Sequence, residues 1–204
     1  MFTFDAHLDL SLNAIEYNRD LRRRVREIRK EEVGMTDLRG RGNGTVAFPE
    51  MRGAGIGLCV ATQLAGCMKP ALSIASWNSP AQARAMTQGQ LAWYRAMEDE
   101  GELIQVRSWP EIESHLEAWH ADPDSTPIGY ILSLEGADSL RSLADFKIYR
   151  EEGLRALGPA HYGVGRYALG HDQDGPLPDR GRELLREMDR LGLILDATHL
   201  CDQT

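Results

Sequence analysis

Residues 128–135 of this 204-residue chain are IGYILSLE, a largely apolar run that ends at a glutamate. Such a run, without clean alternation of apolar and polar residues, is typical of a parallel strand covered on both faces. Together with similar runs elsewhere, it predicts strands at Thr3–Leu8, Ile56–Gln63, Ile128–Leu134, Leu154–Pro159 and Leu193–Thr198. The shorter run Leu103–Arg107 is a candidate for an extra strand outside this series.

Helical segments with recognisable start signals separate these strands. Ser79-Pro80-Ala81-Gln82 combines an N-cap serine, a proline at the first helical position and a capping-box glutamine. Ser108-Trp109-Pro110-Glu111 repeats this pattern, and Ser142 with Asp145 is a third candidate start. The helix before the last strand ends at Gly192, and its apolar stripe comprises Leu184, Leu185, Met188 and Leu191. Alternating strands and helices predict a parallel sheet, either open and doubly wound or a (β/α) barrel.

The number of strand–helix units favours a partial barrel. A complete (β/α)8 TIM barrel needs eight units, typically in about 250 residues. Five predicted units in 204 residues fall short of this. We therefore expect residues 1–204 to form a single α/β domain of the TIM-barrel type, incomplete at its C-terminus, with the protein continuing beyond Thr204.

Composition excludes several classes of function. The chain carries 31 acidic and 23 basic residues, a formal charge of −8, which argues against nonspecific nucleic-acid binding. No apolar run approaches the roughly 18 residues of a membrane span, and the first residues lack the basic and apolar regions expected of a signal peptide. The three cysteines are scattered, without a CxxC pair, which fits a reducing compartment. We expect a cytoplasmic protein without a nucleic-acid partner or membrane segment.

We interpret two polar segments as structural features and not as binding sites. The basic stretch Arg19–Lys30 predicts a solvated helix with i,i+4 ion pairs rather than a nucleic-acid groove. His171-Asp172-Gln173-Asp174-Gly175 resembles part of a calcium loop but lacks the closing glutamate. We interpret it as a polar turn beside the mouth of the active site.

Four potential metal ligands fall at the carboxyl ends of predicted strands, where catalytic groups converge in parallel α/β folds. His7 and Asp9 come at the end of the first strand, Glu135 follows the third and His199 the fifth. Histidine and carboxylate ligands without thiolate suit a catalytic zinc or a dinuclear centre better than a structural site. A structural hydrogen-bonded pair, a helix-capping turn or a satisfied polar group remains the alternative for each residue taken alone.

Several motifs resemble, in chain order, those of the renal (membrane) dipeptidase family of the amidohydrolase superfamily. They are DAHLDL at 5–10, SLEGADSL at 133–140 and GLILDATH at 192–199, with the helix at 178–192 similar to the one before the family's metal histidine. The resemblance runs through nearly the whole chain. It implies a metal-dependent barrel and a dipeptidase activity.

The resemblance also implies roles for individual residues. His7, Asp9 and a bridging Glu135 would hold one zinc ion, and Glu135 with His199 the other. His161 matches the family's histidine that contacts the substrate carbonyl, although Pro159-Ala160 departs from the threonine that usually precedes it. A second histidine, an arginine and an aspartate that the family also uses are expected beyond Thr204.

Three functions follow from this pattern. The leading hypothesis is a zinc dipeptidase that hydrolyses small dipeptides with a metal-bridging hydroxide. A second keeps the metal barrel but changes the substrate to another amide, an ester or a lactone, because fold does not fix the reaction. A third is an inactive partial barrel that binds a partner through its open edges. The sequence leaves open whether the protein forms a homodimer.

Overall fold

The computed structural model describes residues 1–67 and 75–204, in which helices and parallel strands alternate. The strands are β1 Thr3–Leu8, β2 Ile56–Leu64, β3 Leu103–Gln105, β4 Ile128–Glu135, β5 Leu154–Gly158 and β6 Ile194–Leu195. The helices are α1 Leu10–Ile15, α2 Val25–Glu31, α3 Phe48–Gly53, α4 Pro80–Asp99, α5 Trp109–Ala121, α6 Asp145–Glu151 and α7 Asp179–Leu191. The strand order is β1-β2-β4-β5-β6, with β3 paired to β4 off this path. This confirms the predicted α/β class and the extra strand.

No helix within the described residues is long and apolar enough to cross a membrane. The chain divides into two compact units. The first comprises Met1–Thr62 and Gln90–Ile131, and the second comprises Gln63–Gly89 and Leu132–Thr204.

In the first unit, β1 pairs in parallel with β2, and β3 with the start of β4. Stacked tyrosines anchor its interior, because the rings of Tyr94 and Tyr130 lie 4.9 Å apart and neither residue is exposed. Cys59, near the middle of β2, is also fully buried. The buried core of this unit therefore includes side chains from α4, β2 and β4.

The basic stretch of the first unit differs from the expected solvated helix. Only its second half is helical, as α2, and Arg23 faces Glu27 at 4.0 Å in the expected i,i+4 pair. Arg19 is instead only 6% exposed and pairs with the buried Glu32, Nε to Oε1, at 2.7 Å. Arg19 turns inward because the buried carboxylate of Glu32 requires a charged partner, whereas the other basic residues of the stretch are exposed or partly exposed.

In the second unit, β4 pairs with β5 and β5 with β6, all in parallel. Helix α7 buries Leu184 and Met188 and ends at Gly192, whose φ of 63° is left-handed, as the sequence predicts. Strand β6 is shorter than the predicted Leu193–Thr198. It ends early because Asp196 Oδ1 accepts a hydrogen bond from Thr198 N at 2.9 Å, an Asx turn that ends the extended backbone.

The three predicted helix starts have different outcomes. Ser79 caps α4, because its Oγ accepts a hydrogen bond from the backbone N–H of Gln82 at 3.3 Å. Ser108 precedes α5 as its N-cap residue, but without a side-chain cap. The start at Ser142 was wrong, because α6 begins at Asp145 with Ala144 as its N-cap. The Asp145 carboxylate instead accepts hydrogen bonds from Arg141, which removes it from the capping role.

Candidate metal centre

The first unit brings His7 and Asp9 together at the end of β1. His7 Nε2 lies 3.7 Å from Asp9 Oδ1, and both side chains are partly exposed. Thr62 Oγ1 donates a hydrogen bond to the same oxygen at 2.6 Å, and Asn13 Nδ2 donates to the Asp9 carbonyl at 2.8 Å. Asp9 is therefore held on both its side chain and its backbone. The His-x-Asp spacing places both groups on one side of the strand end, as alternation predicts.

The second unit brings Glu135, His161 and His199 together. Glu135 is the last residue of β4 and is 4% exposed. Its Oε1 lies 3.0 Å from His199 Nε2 and 3.7 Å from His161 Nε2. One ligand atom from each of the three residues lies within 4.8 Å of the others. Their convergence follows from the parallel strands, because His161 follows β5, the neighbour of β4, and His199 follows β6, the next strand along.

Unusual backbone conformations support this cluster. Gly136, directly after Glu135, has a φ of 76°, which a glycine adopts without strain, and its N–H donates to the Gly158 carbonyl at 2.9 Å. His199 has a φ of 69°, which is uncommon for a residue with a side chain. Strained residues of this kind concentrate at functional sites, where the surrounding structure holds them.

The donor set of this cluster fits a divalent transition metal. A carboxylate oxygen and two imidazole nitrogens face one another, and these are the groups that bind catalytic Zn²⁺. Two of the cysteines lie elsewhere, since Cys59 Sγ approaches the Gly129 carbonyl and Cys201 Sγ approaches the Gly175 carbonyl. Glu135, His161 and His199 would hold or adjoin the metal in the second unit, and His7 with Asp9 offer a nitrogen and an oxygen in the first.

Asp138, within the SLEGADSL motif, has a structural role that the sequence did not reveal. Its two carboxylate oxygens accept hydrogen bonds from the backbone N–H groups of Cys67 at 2.7 Å and Arg166 at 2.8 Å. The carboxylate thus ties two loops to the turn after β4. Because both oxygens are used in this way, Asp138 positions the turn that follows Glu135 and is not one of the candidate metal ligands.

His171 and Tyr162 are the residues of this region that sequence reasoning missed. His171 lies in a turn, as the sequence predicts, and its Nδ1 lies 3.1 Å from Nδ1 of His199. The Tyr162 ring lies 4.8 Å from that of His171 and 5.0 Å from that of His199. No residue spacing signals this, because the contact depends on how the loop folds back on itself.

The chain belongs to the membrane dipeptidase family, peptidase family M19, whose family model matches residues 1–204. This confirms the family predicted from the motifs. Comparison with curated proteins gives no match.

Solved structures of similar proteins share the fold. Dipeptidase AC, described as a metallopeptidase of family M19, is 23% identical with a TM-score of 0.66, over 100% of this chain and 58% of its own. The probable dipeptidase PvdM from Pseudomonas aeruginosa is 14% identical with a TM-score of 0.69, over 100% and 48%. An amidohydrolase from Pseudomonas aeruginosa is 19% identical with a TM-score of 0.58, over 77% and 43%.

These likenesses confirm the predicted α/β architecture of the TIM-barrel type. The chain corresponds to part of such a barrel. The chain spans about half the length of these relatives, between 43% and 58%.

Proposed function

We propose that the protein is a zinc-dependent dipeptidase with two metal ions. The observation that carries this proposal is the approach of His199 Nε2 and His161 Nε2 to the buried Oε1 of Glu135 at the carboxyl ends of parallel strands. Family membership supports the same reading. The metal ligands would be His7, Asp9, Glu135 and His199, with Glu135 shared between the two ions.

Bound zinc would polarise the peptide carbonyl and lower the pKa of a water molecule enough to make it a nucleophile near neutral pH. The rest of the chemistry falls to the protein. His161 would donate a hydrogen bond to the carbonyl oxygen as negative charge develops there. A donor aimed in this way is typically worth about 10²–10³ in kcat.

The burial of Glu135 supports its assigned role. A carboxylate that is 4% exposed is costly unless it is paired or coordinates a metal. The hydrogen bond from Thr62 Oγ1 holds the Asp9 carboxylate in place. Asp9 therefore does not need the metal to fix its position. The ligands would therefore be arranged before an ion arrives.

The test measures zinc content and hydrolysis in the same samples. We expect purified protein to bind two equivalents of zinc and to hydrolyse dipeptides in preference to esters, lactones and other amides. His161→Ala should lower kcat about 10²–10³-fold with unchanged zinc content. His120→Ala, which removes an exposed histidine at the end of α5, is the matched control and should change neither.

Each alternative hypothesis has its own outcome. Two equivalents of zinc with a preference for esters or lactones would replace the dipeptidase by another hydrolase of the same architecture. Absence of zinc, with association through the strand edges, would favour the scaffold and overturn the proposal.

A further inference from the structure

Residues 161–172 of the second unit fold into a tight hairpin. Val164 and Leu169 form an antiparallel bridge, and the N–H of Gly170 donates to the Gly163 carbonyl at 2.8 Å. Asp172 Oδ1 closes the hairpin by accepting a hydrogen bond from the N–H of Gly163 at 2.6 Å. The two ends of the hairpin carry His161 and His171, so its closure brings both histidines to one end.

The same hairpin pairs with the segment that carries His199. Gly170 and Leu200 form an antiparallel bridge, and the N–H of Cys201 donates to the Leu169 carbonyl at 3.2 Å. A side chain at Gly170 would collide with the backbone of His161 and Gly163, so only glycine allows this close approach. Backbone bonds on both sides therefore set His171 opposite His199.

The two imidazoles stack with a defined hydrogen bond between them. Their ring centroids are 5.1 Å apart with 22° between the planes, and the two Nδ1 atoms are 3.1 Å apart. The other nitrogen of His199, Nε2, lies 3.0 Å from Glu135 Oε1. His199 is thus engaged at both nitrogens, one toward the candidate metal ligand and one toward His171.

We propose that His171 is a positioning residue for His199, an inference that rests on the proposed metal centre. A histidine that binds metal through Nε2 carries its proton on Nδ1 and nearly always donates it to an outer partner. With His199 Nδ1 as the donor, the Nδ1 of His171 is the acceptor, and its own proton lies on Nε2. The pair fixes the tautomer and the ring orientation of His199.

Zinc affinity of three variants tests this role. His171→Ala removes the acceptor and should weaken zinc binding about 10–100-fold, the usual effect of losing an outer partner. His171→Asn returns an acceptor oxygen to nearly the position of Nδ1 and should restore most of the affinity. His120→Ala controls for the loss of a histidine outside the cluster. Competition with a chelator of known affinity measures all three proteins.

A second readout needs no metal. Long-range ¹H–¹⁵N spectra of metal-free protein at about pH 8.5, well above the ordinary histidine pKa of about 6.5, report which ring nitrogen carries the proton. Without a metal, the Glu135 carboxylate accepts a hydrogen bond from Nε2 of His199, so we expect His199 to carry its proton on Nε2. The Nδ1 of His199 is then the acceptor, and His171 should carry its proton on Nδ1 in the wild type. In His171→Ala this donor is lost, and the ¹⁵N resonance of His199 Nδ1 should shift.

The outcomes separate the two proposals. If the wild type binds no zinc, the metal centre fails, while the spectra still decide whether His171 is hydrogen-bonded to His199 and can position it. Unchanged spectra and unchanged affinity in His171→Ala would overturn the positioning role. Equal loss of a whole zinc equivalent in His171→Ala and His171→Asn would also overturn it, because His171 would then be a ligand itself.

Discussion

Glu32 of the first unit and Glu135 of the second are equally buried, each 4% exposed, but they face different partners. Arg19 holds Glu32 through two hydrogen bonds of 2.7 and 2.9 Å. Arg41 adds a third at 3.0 Å and the N–H of Gly42 a fourth at 2.7 Å. These donors, led by Arg19, lower the pKa of Glu32 to about 2.

Glu135 faces imidazoles instead. Guanidinium groups are permanently charged and offer no lone pair to a cation, so the partners of Glu32 hold its carboxylate as an ion pair and not as part of a metal site. A neutral imidazole nitrogen is itself a metal ligand and joins the carboxylate in holding an ion. The comparison teaches that the partners of a buried carboxylate distinguish a structural from a functional role, whereas its burial does not.

The largest expected effect is on stability, from Glu32→Gln. The substitution leaves the buried guanidinium of Arg19 facing an amide rather than a negative charge. Breaking a buried ion pair in this way typically costs about 3–5 kcal/mol of the free energy of unfolding. Urea denaturation at neutral pH measures the loss. A change below about 1 kcal/mol, the usual value of an exposed pair, would show that the network contributes little.

The dependence of stability on pH tests whether the contribution of Glu32 is ionic. The folded pKa of Glu32, about 2, lies below its ordinary value of 4.5, so its contribution is present above pH 4.5 and lost as the pH falls toward 2. A shift of this size corresponds to about 3 kcal/mol. The stability difference between wild type and Glu32→Gln should shrink over this range in urea denaturation series. A difference independent of pH would contradict the ionic origin.

Glu135→Gln is the matched variant in the second unit. It should weaken zinc binding at least about a hundredfold, equivalent to about 3 kcal/mol, because an amide is a poorer ligand than a carboxylate. The free energy of unfolding of the metal-free protein should change by less than that of Glu32→Gln. Isothermal titration calorimetry measures the zinc affinity, and urea denaturation measures the free energy of unfolding. Equal destabilisation by both substitutions would remove the distinction between the two carboxylates.

The smallest effects come from two glycines of the second unit. Gly170→Ala should destabilise the protein by about 1–3 kcal/mol, because the methyl group overlaps the hairpin backbone. Gly89→Ala lies within α4, where an added methyl group meets nothing within 4 Å, and should stabilise by about 0.5–1 kcal/mol. Thermal denaturation of both variants measures the contrast. A stabilising Gly170→Ala would mean that the hairpin relaxes away from His199.

Local patterns predicted the strands and the residues at their ends. Glu135 and His199 follow apolar runs, and parallel strands place their carboxyl ends at one edge, so their approach follows from order alone. The burial of Arg19 could not be predicted because its partner Glu32 lies in a separate turn. The N–H of Gly42, which also donates to Glu32, comes from a further turn. The polar turn predicted at His171 is present. Its contact with His199 could not be predicted, because it depends on backbone contacts at Gly163 and Gly170, which no period in the sequence encodes.

Cys59 gives the first unit a chemical reporter of its own opening. Burial raises the pKa of its thiol well above the ordinary value, so the native form offers alkylating reagents neither access nor a thiolate. Modification then proceeds through molecules in which β2 is transiently exposed. Under conditions where the strand recloses faster than it reacts, the alkylation rate of Cys59 measures the free energy of that opening without any denaturant.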